Sequence, residues 1–181
     1  MGAEMCIRDS IKAYKYMRGV EDKKLKYAKW CLYHALDSDY WWKEYFSPEI
    51  IRAWLREIDK TLKPELKKII VEEVSLSSDV SEKKFSATIK VKNSAEYPVN
   101  LKASLIVEPE HSKVEREFTI KPLTTATVEL ETPFNNSVGG LSVRIIAGPL
   151  ILYEEFYEVK SGSHLKPSIT IGNSVLSSGE N

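Results

Sequence analysis

Residues 85–92 read Phe-Ser-Ala-Thr-Ile-Lys-Val-Lys, and this stretch decides the fold class of the second part of the chain. Apolar and polar side chains alternate along it without interruption, so the apolar set lies on one face of an extended strand. An amphipathic helix would instead repeat its apolar residues every three or four positions. The stretch therefore predicts a β-strand with one face in a hydrophobic core.

Similar runs continue on both sides of this strand, and turn residues separate them. They predict seven strands, at 68–76, 85–92, 101–108, 114–120, 126–131, 141–147 and 151–159. Short strands at such intervals are typical of an antiparallel sandwich with Greek-key connections. We therefore predict a seven-stranded antiparallel immunoglobulin-like β-sandwich over residues 65–160.

The pattern before Pro64 is different, because apolar residues there recur at helical spacing. This part predicts a bundle of three or four short helices over residues 10–64, and the whole chain is then an α+β protein. The first helix is predicted from Ser10 to Gly19, the second after Asp22, a short one over 40–46, and the last from Ser47 to Pro64. Ser47 is the predicted N-cap of the last helix. Pro64 is its predicted end, because proline disfavours helical geometry in the preceding residue.

Composition and chain ends give weaker information. The chain has 43% hydrophobic and 29% charged residues and a formal net charge of +0, as expected of a globular protein with a core. No apolar run is long enough to span a bilayer and no signal peptide is visible, which leaves the compartment open.

Residues 1–9 resemble a translated sequencing adapter and are predicted to be an extraneous leader, and the polar residues 161–181 are predicted to be a flexible tail. Both ends fit a fragment of a longer protein.

The first part of the chain is rich in aromatic residues, and a dense group of them is the candidate partner-binding site. Its members are Tyr40, Trp41, Trp42, Tyr45 and Phe46. A helix cannot turn all of these rings inward, because neighbouring side chains point about 100° apart. Exposed Trp and Tyr are frequent in binding hot spots. The alternative is that the rings fill a small core, the commoner use of large aromatic side chains.

Lysines alternate with aromatic residues in the first two predicted helices. The lysines are Lys12, Lys15, Lys23, Lys24, Lys26 and Lys29, and the aromatic residues are Tyr14, Tyr16, Tyr27 and Trp30. This mixture can bind single-stranded nucleic acid, whereas a solvated helix face is the more ordinary interpretation. The zero net charge also disfavours nucleic acid as a partner. We expect the partner to be a protein and leave the oligomeric state open.

No group of residues in the sequence specifies a reaction. The three histidines, His34 among them, are isolated from one another, which disfavours a metal site or a Ser-His-Asp triad. Glu72 and Glu73 are predicted to lie on opposite faces of a strand, and Cys6 and Cys31 form no CxxC motif. We predict no catalytic residue, no metal site and no cofactor. An enzyme whose site is completed by missing sequence or by a partner is one alternative function, and a nucleic-acid-associated protein is the other.

Two segments of the second part resemble CARDB-type and fibronectin type III-like modules. Residues 89–101, Ile-Lys-Val-Lys-Asn-Ser-Ala-Glu-Tyr-Pro-Val-Asn-Leu, resemble the strand–loop–strand opening of these modules. Residues 118–130, Phe-Thr-Ile-Lys-Pro-Leu-Thr-Thr-Ala-Thr-Val-Glu-Leu, resemble their later strand, loop and strand. The resemblance implies an immunoglobulin-like fold and a non-catalytic module used for adhesion, spacing or protein contact. The predicted function is therefore a non-catalytic protein-interaction or structural module, as part of a surface or filament-like assembly.

Overall fold

A computed structural model of the chain describes residues 2–19, 22–37, 40–41, 46–79, 82–109, 112–133 and 139–159. Within these ranges, three α-helices precede seven β-strands, and the strands form two antiparallel sheets. The predicted α+β class is confirmed at this level. The described residues divide into two compact units: a helical unit up to residue 68 with 148–150, and a sheet unit over 69–147 with 151–159.

The three helices are longer than the short helices that the sequence predicts. They are α1 (Gly2–Arg18), α2 (Lys23–Ala35) and α3 (Pro48–Leu66). The prediction that the first helix starts at Ser10 is wrong, because Ile7 is buried and continues the apolar face of Ile11 and Tyr14 toward the N-terminus. The predicted short helix over 40–46 lies mostly outside the described residues.

The last helix begins where the sequence predicts but ends later. Ser47 occupies the N-cap position of α3, but its side chain makes no capping hydrogen bond. The prediction that Pro64 ends this helix is wrong, since α3 continues through Pro64 to Leu66. Pro64 is exposed, whereas Glu65 and Leu66 are buried. Burial of the final turn outweighs the backbone hydrogen bond that proline cannot donate.

The sheet unit contains all seven predicted strands, and their ends lie within three residues of the predicted ones. The strands are β1 (Ile69–Asp79), β2 (Lys84–Asn93), β3 (Val99–Glu108), β4 (Ser112–Ile120), β5 (Thr125–Pro133), β6 (Gly140–Ala147) and β7 (Leu150–Glu158). One sheet has the order β1-β2-β5 and the other β4-β3-β6-β7. The predicted alternation in β2 is confirmed, because Phe85, Ala87, Ile89 and Val91 are all buried.

Strand β1 contains a β-bulge that changes the orientation of two carboxylates. Val71 pairs with Val91 and Glu73 pairs with Lys90, so Glu72 is an extra residue in the register. Val71 and Val74 are both buried, and two half-buried acidic residues lie between them. The prediction that Glu72 and Glu73 lie on opposite faces is therefore wrong, because a bulge interrupts the period of two. The Glu72 carboxylate lies 3.7 Å from the Lys90 ammonium group.

Asn93 is a fully buried amide that joins two connecting segments of the sheet unit. Its Nδ2 donates to the carbonyl oxygens of Tyr97 at 2.8 Å, Lys121 at 3.2 Å and Ile120 at 3.4 Å. Its Oδ1 accepts a hydrogen bond from the Ala95 amide at 2.9 Å. The Asn93 side chain thereby links the connection between β2 and β3 to the turn between β4 and β5, which are the loops of the two segments that carry the family resemblance.

Candidate functional site

Helix α2 has a basic and aromatic face, which is the candidate functional site. The sequence of α2, KKLKYAKWCLYHA, contains four lysines and no acidic residue. Leu25, Ala28 and Leu32 follow helical spacing and are buried. The opposite side of the helix presents Lys23, Lys26, Tyr27, Trp30, Tyr33 and His34, which we call the α2 face. Core packing of one side of α2 therefore leaves most of the other side exposed, with His34 half-buried.

Four rings on α2 and α3 form a continuous aromatic cluster. Trp30 packs edge-on against Trp54, with centroids 5.1 Å apart and planes at 89°, and against His34 at 4.3 Å and 72°. His34 stacks on Trp54 at 5.0 Å. Tyr27 lies 6.1 Å from Trp30 with the two planes 23° apart. Tyr27 and Trp30 remain 43% and 49% exposed, so two rings of the cluster present apolar surface to solvent.

The cluster forms because α2 and α3 run antiparallel. Lys24 near the start of α2 pairs with Glu65 near the end of α3, while Trp30 meets Trp54 farther along. The Glu65 side chain is nearly inaccessible to solvent, and its second oxygen lies 3.0 Å from the Lys68 ammonium group. Two lysines thus offset the cost of burying this carboxylate.

The Cys31 thiol lies beside the aromatic cluster and interacts with the hydroxyl of Tyr27, one of its rings. Burial raises the pKa of the Cys31 thiol, against a smaller opposing effect of its hydrogen bond with Tyr27. The Cys31 thiol in turn raises the pKa of the Tyr27 hydroxyl, with a smaller contribution from Glu57. A buried thiol with a raised pKa is protonated at neutral pH and is a poor nucleophile. This group therefore gives the α2 face no reactive centre.

A partly buried polar network fixes the start of α2. Asp22 is the N-cap and accepts a hydrogen bond from the Leu25 amide at 2.8 Å. The Tyr14 hydroxyl donates to Asp22 at 2.9 Å, and the Arg18 guanidinium lies 2.7 Å from the same carboxylate oxygen. Burial, with the hydrogen bond to Asp22, raises the pKa of Tyr14 to about 12. This network ties α1 to the N-terminal end of α2.

The residues predicted to bind a partner are described only in part. Trp42 and Tyr45 lie outside the described residues. Tyr40 is half-buried, Trp41 is 43% exposed and Phe46 is 56% exposed. Trp41 donates from Nε1 to the Ala35 carbonyl at 2.9 Å, so it also satisfies a backbone group at the end of α2. A binding role for these residues stays a prediction.

Tyr27 and Trp30 belong to the predicted mixture of lysines and aromatic residues, but the sequence does not predict the cluster that they form with His34 and Trp54. A usable signal was present, because Lys23, Tyr27, Trp30 and His34 recur at intervals of four, three and four residues. The sequence gives no comparable indication for Trp54, because its contact with Trp30 depends on how α2 and α3 pack. The His34 ring packs between the rings of Trp30 and Trp54.

Strand β7 carries a second set of hydrogen-bonded polar side chains. Glu155 accepts hydrogen bonds from the hydroxyls of Tyr153 and Tyr157, and the two hydroxyl oxygens lie 2.8 Å apart. Burial and the neighbouring carboxylate raise the pKa of Tyr153. The sequence places these three residues on one face of β7, and their mutual contacts satisfy their polar atoms within the strand.

The described residues contain neither a metal-binding cluster nor a membrane-spanning helix. No cluster of three or more His, Cys, Asp or Glu side chains suited to a metal ion occurs among the described residues. None of the helices in the described part of the chain has the length and hydropathy needed to cross a bilayer.

Comparisons with known proteins place the chain in no family. No protein-family model matches it, and no curated protein sequence does. Among solved structures, it matches the alkylpurine DNA glycosylase AlkC of Pseudomonas fluorescens bound to DNA containing an abasic site analogue. The match covers 64% of this chain and 40% of that chain, with 10% sequence identity and a TM-score of 0.37.

The predicted function, a non-catalytic protein-interaction or structural module, is not supported by these comparisons: the solved structure named above is an enzyme bound to DNA. The TM-score is too low for that enzyme's activity to be transferred to this chain.

Proposed function

We propose that the helical unit binds nucleic acid through the α2 face. The observation that carries this proposal is the composition of that face, where Lys23 and Lys26 each lie four residues before a half-exposed ring, Tyr27 or Trp30, on a helix without acidic residues. Lysine side chains attract the phosphate backbone, and aromatic rings stack on bases. The same pairing of chemistries is used by proteins that bind single strands without sequence preference.

The carboxylates of Glu57 and Glu65, which lie near the α2 face, are each paired with lysines. Glu57 lies 2.7 Å from the Lys60 ammonium group, and Glu65 is paired with Lys24 and Lys68. Among the described residues, no ion pair involves Lys23 or Lys26. Both are therefore available to phosphate groups.

The net charge of the whole chain is less relevant than this local composition. The prediction that nucleic acid is disfavoured as a partner rests on a total charge of +0. At physiological ionic strength, exposed charges act over about 8 Å, so a ligand on α2 responds mainly to the lysines beside it.

Binding of a fluorescein-labelled oligodeoxythymidine of about 16 nucleotides, measured by anisotropy at several salt concentrations, tests the proposal. We expect binding at low salt that weakens steeply as salt increases. In the variant Lys23→Gln/Lys26→Gln, the slope of log affinity against log salt should fall by about 0.7 for each lysine removed. The matched control Lys83→Gln/Lys121→Gln removes two exposed lysines of the sheet unit and should leave the slope unchanged. No binding at low salt would refute the proposal.

For the sheet unit, we propose an immunoglobulin-like sandwich of the CARDB and fibronectin type III-like kind. The strand orders β1-β2-β5 and β4-β3-β6-β7 support it, as does the passage of the chain from one sheet to the other between β4 and β5. Arg116 of β4 donates to the Glu129 carbonyl of β5 at 3.4 Å, which also supports close approach of the two sheets. Methyl NOEs between Leu130 and Leu101 or Leu105 test whether the buried rows face each other, and their absence would contradict a sandwich.

A further inference from the structure

Repeated pairs of a lysine and an aromatic ring lie on the α2 face. Lys23 precedes Tyr27 by four residues, and Lys26 precedes Trp30 by four. Side chains four residues apart on a helix are neighbours, and long side chains lean toward the helix N-terminus, so each ring lies close to the lysine one turn before it. A nucleotide has the matching pair of groups, a phosphate and a flat base. Each pair therefore suits one nucleotide.

The ring of Trp30 is held in place before any ligand binds. Trp54 and His34 both pack against it, at centroid distances of 5.1 Å and 4.3 Å. A ring fixed in this way loses little side-chain entropy when a base stacks on it. Trp54 and His34 are thus positioning residues, because they act through Trp30.

The arrangement of the two exposed rings favours consecutive bases of one strand. The Tyr27 and Trp30 planes are 23° apart, with centroids separated by 6.1 Å. In a duplex, each base is already stacked and paired, so its faces are not accessible to these rings. A duplex can therefore use the lysines of the α2 face, whereas an unpaired strand can use the lysines and the rings.

We infer that the α2 face selects unpaired strands, with Trp30 and Tyr27 each stacking on one of two adjacent bases. This inference rests on the proposed nucleic-acid binding and specifies the class of nucleic acid. It also assigns separate roles: Lys23 and Lys26 contribute affinity for any nucleic acid, while Trp30 and Tyr27 contribute the preference for single strands.

Anisotropy titrations of the full chain with a labelled single strand and with the same strand annealed to its complement test the inference. We expect tighter binding of the single strand. The substitution Trp30→Leu should weaken single-strand binding by about fivefold or more, the effect of losing about 1 kcal/mol or more of stacking, and should leave duplex binding unchanged. Trp30→Phe keeps a ring and should retain most of the affinity. Phe156→Leu alters an exposed ring of the sheet unit and is the matched control.

The remaining outcomes separate the two proposals. Equal binding of single strand and duplex, with no effect of Trp30→Leu, would overturn the inference and leave lysine-driven nucleic-acid binding intact. Absence of binding to both at low salt would overturn both proposals. Binding to phosphatidylserine vesicles, with none to either oligonucleotide, would assign the face to a lipid surface and also overturn both. Circular dichroism of each variant verifies that its helices are retained.

Discussion

At the scale of single residues, the Asp22 side chain caps α2, forms an ion pair with Arg18 and accepts a hydrogen bond from Tyr14. Partial burial by itself would raise the pKa of this carboxyl. Hydrogen bonds from the Leu25 amide and the Tyr14 hydroxyl, with the charge of Arg18, outweigh that effect and lower the pKa below its ordinary value of 3.8. Ionised Asp22 is therefore favoured in the folded chain, and it anchors the helix that carries the candidate site.

This shift predicts a pH dependence of stability. Because the folded-state pKa of Asp22 is lowered, its contribution is complete above pH 3.8 and is lost as the pH falls through the folded-state value. Urea unfolding of the wild type and of Asp22→Asn should show a smaller loss of stability on acidification in the variant, which keeps a capping oxygen without the charge. Asp22→Ala also removes the cap and should cost about 1 kcal/mol at neutral pH. Parallel pH curves for wild type and Asp22→Asn would contradict this assignment.

At the scale of elements, buried polar groups stabilise the loops between strands, as buried apolar side chains stabilise the strands. Asn93 links the β2–β3 connection to the β4–β5 turn through a side chain with no solvent exposure. In the same turn, Leu123 has a φ of 55° and donates from its amide to the Ala95 carbonyl at 3.0 Å. Left-handed backbone at a leucine is unfavourable, so the surrounding hydrogen bonds hold it there.

Removing the Asn93 amide should therefore loosen both connections at once. Asn93→Ala leaves buried backbone groups without their partner, and we expect the free energy of unfolding in urea to fall by about 3 kcal/mol. The matched control is Asn100→Ala, because the exposed Asn100 side chain accepts one hydrogen bond among the described contacts, from the Thr119 hydroxyl. We expect that control to cost less than about 0.5 kcal/mol. Equal losses for the two variants would show that Asn93 does not have this role.

At the scale of the whole molecule, the functional proposal depends on contacts between residues far apart in sequence. Trp54 meets Trp30 and His34 because α3 folds back along α2, and the Glu65 carboxylate is neutralised by a lysine from the other helix. The total charge of +0 conceals a helix with four lysines and no acidic residue. Local surface composition, and not the average over the chain, therefore sets what the α2 face attracts.

The sequence by itself determined the seven strands and the cores of the helices. Apolar periods of two and of three to four are properties of the backbone, so local pattern is enough to recognise β2 or the buried face of α2. Tertiary structure decided the rest. Burial of Glu65 and Leu66 extended α3 beyond Pro64, an extra residue turned Glu72 to the side of Glu73, and helix packing assembled Trp30, His34 and Trp54. Each of these outcomes depends on the free energy of contacts between distant residues, which no local pattern contains.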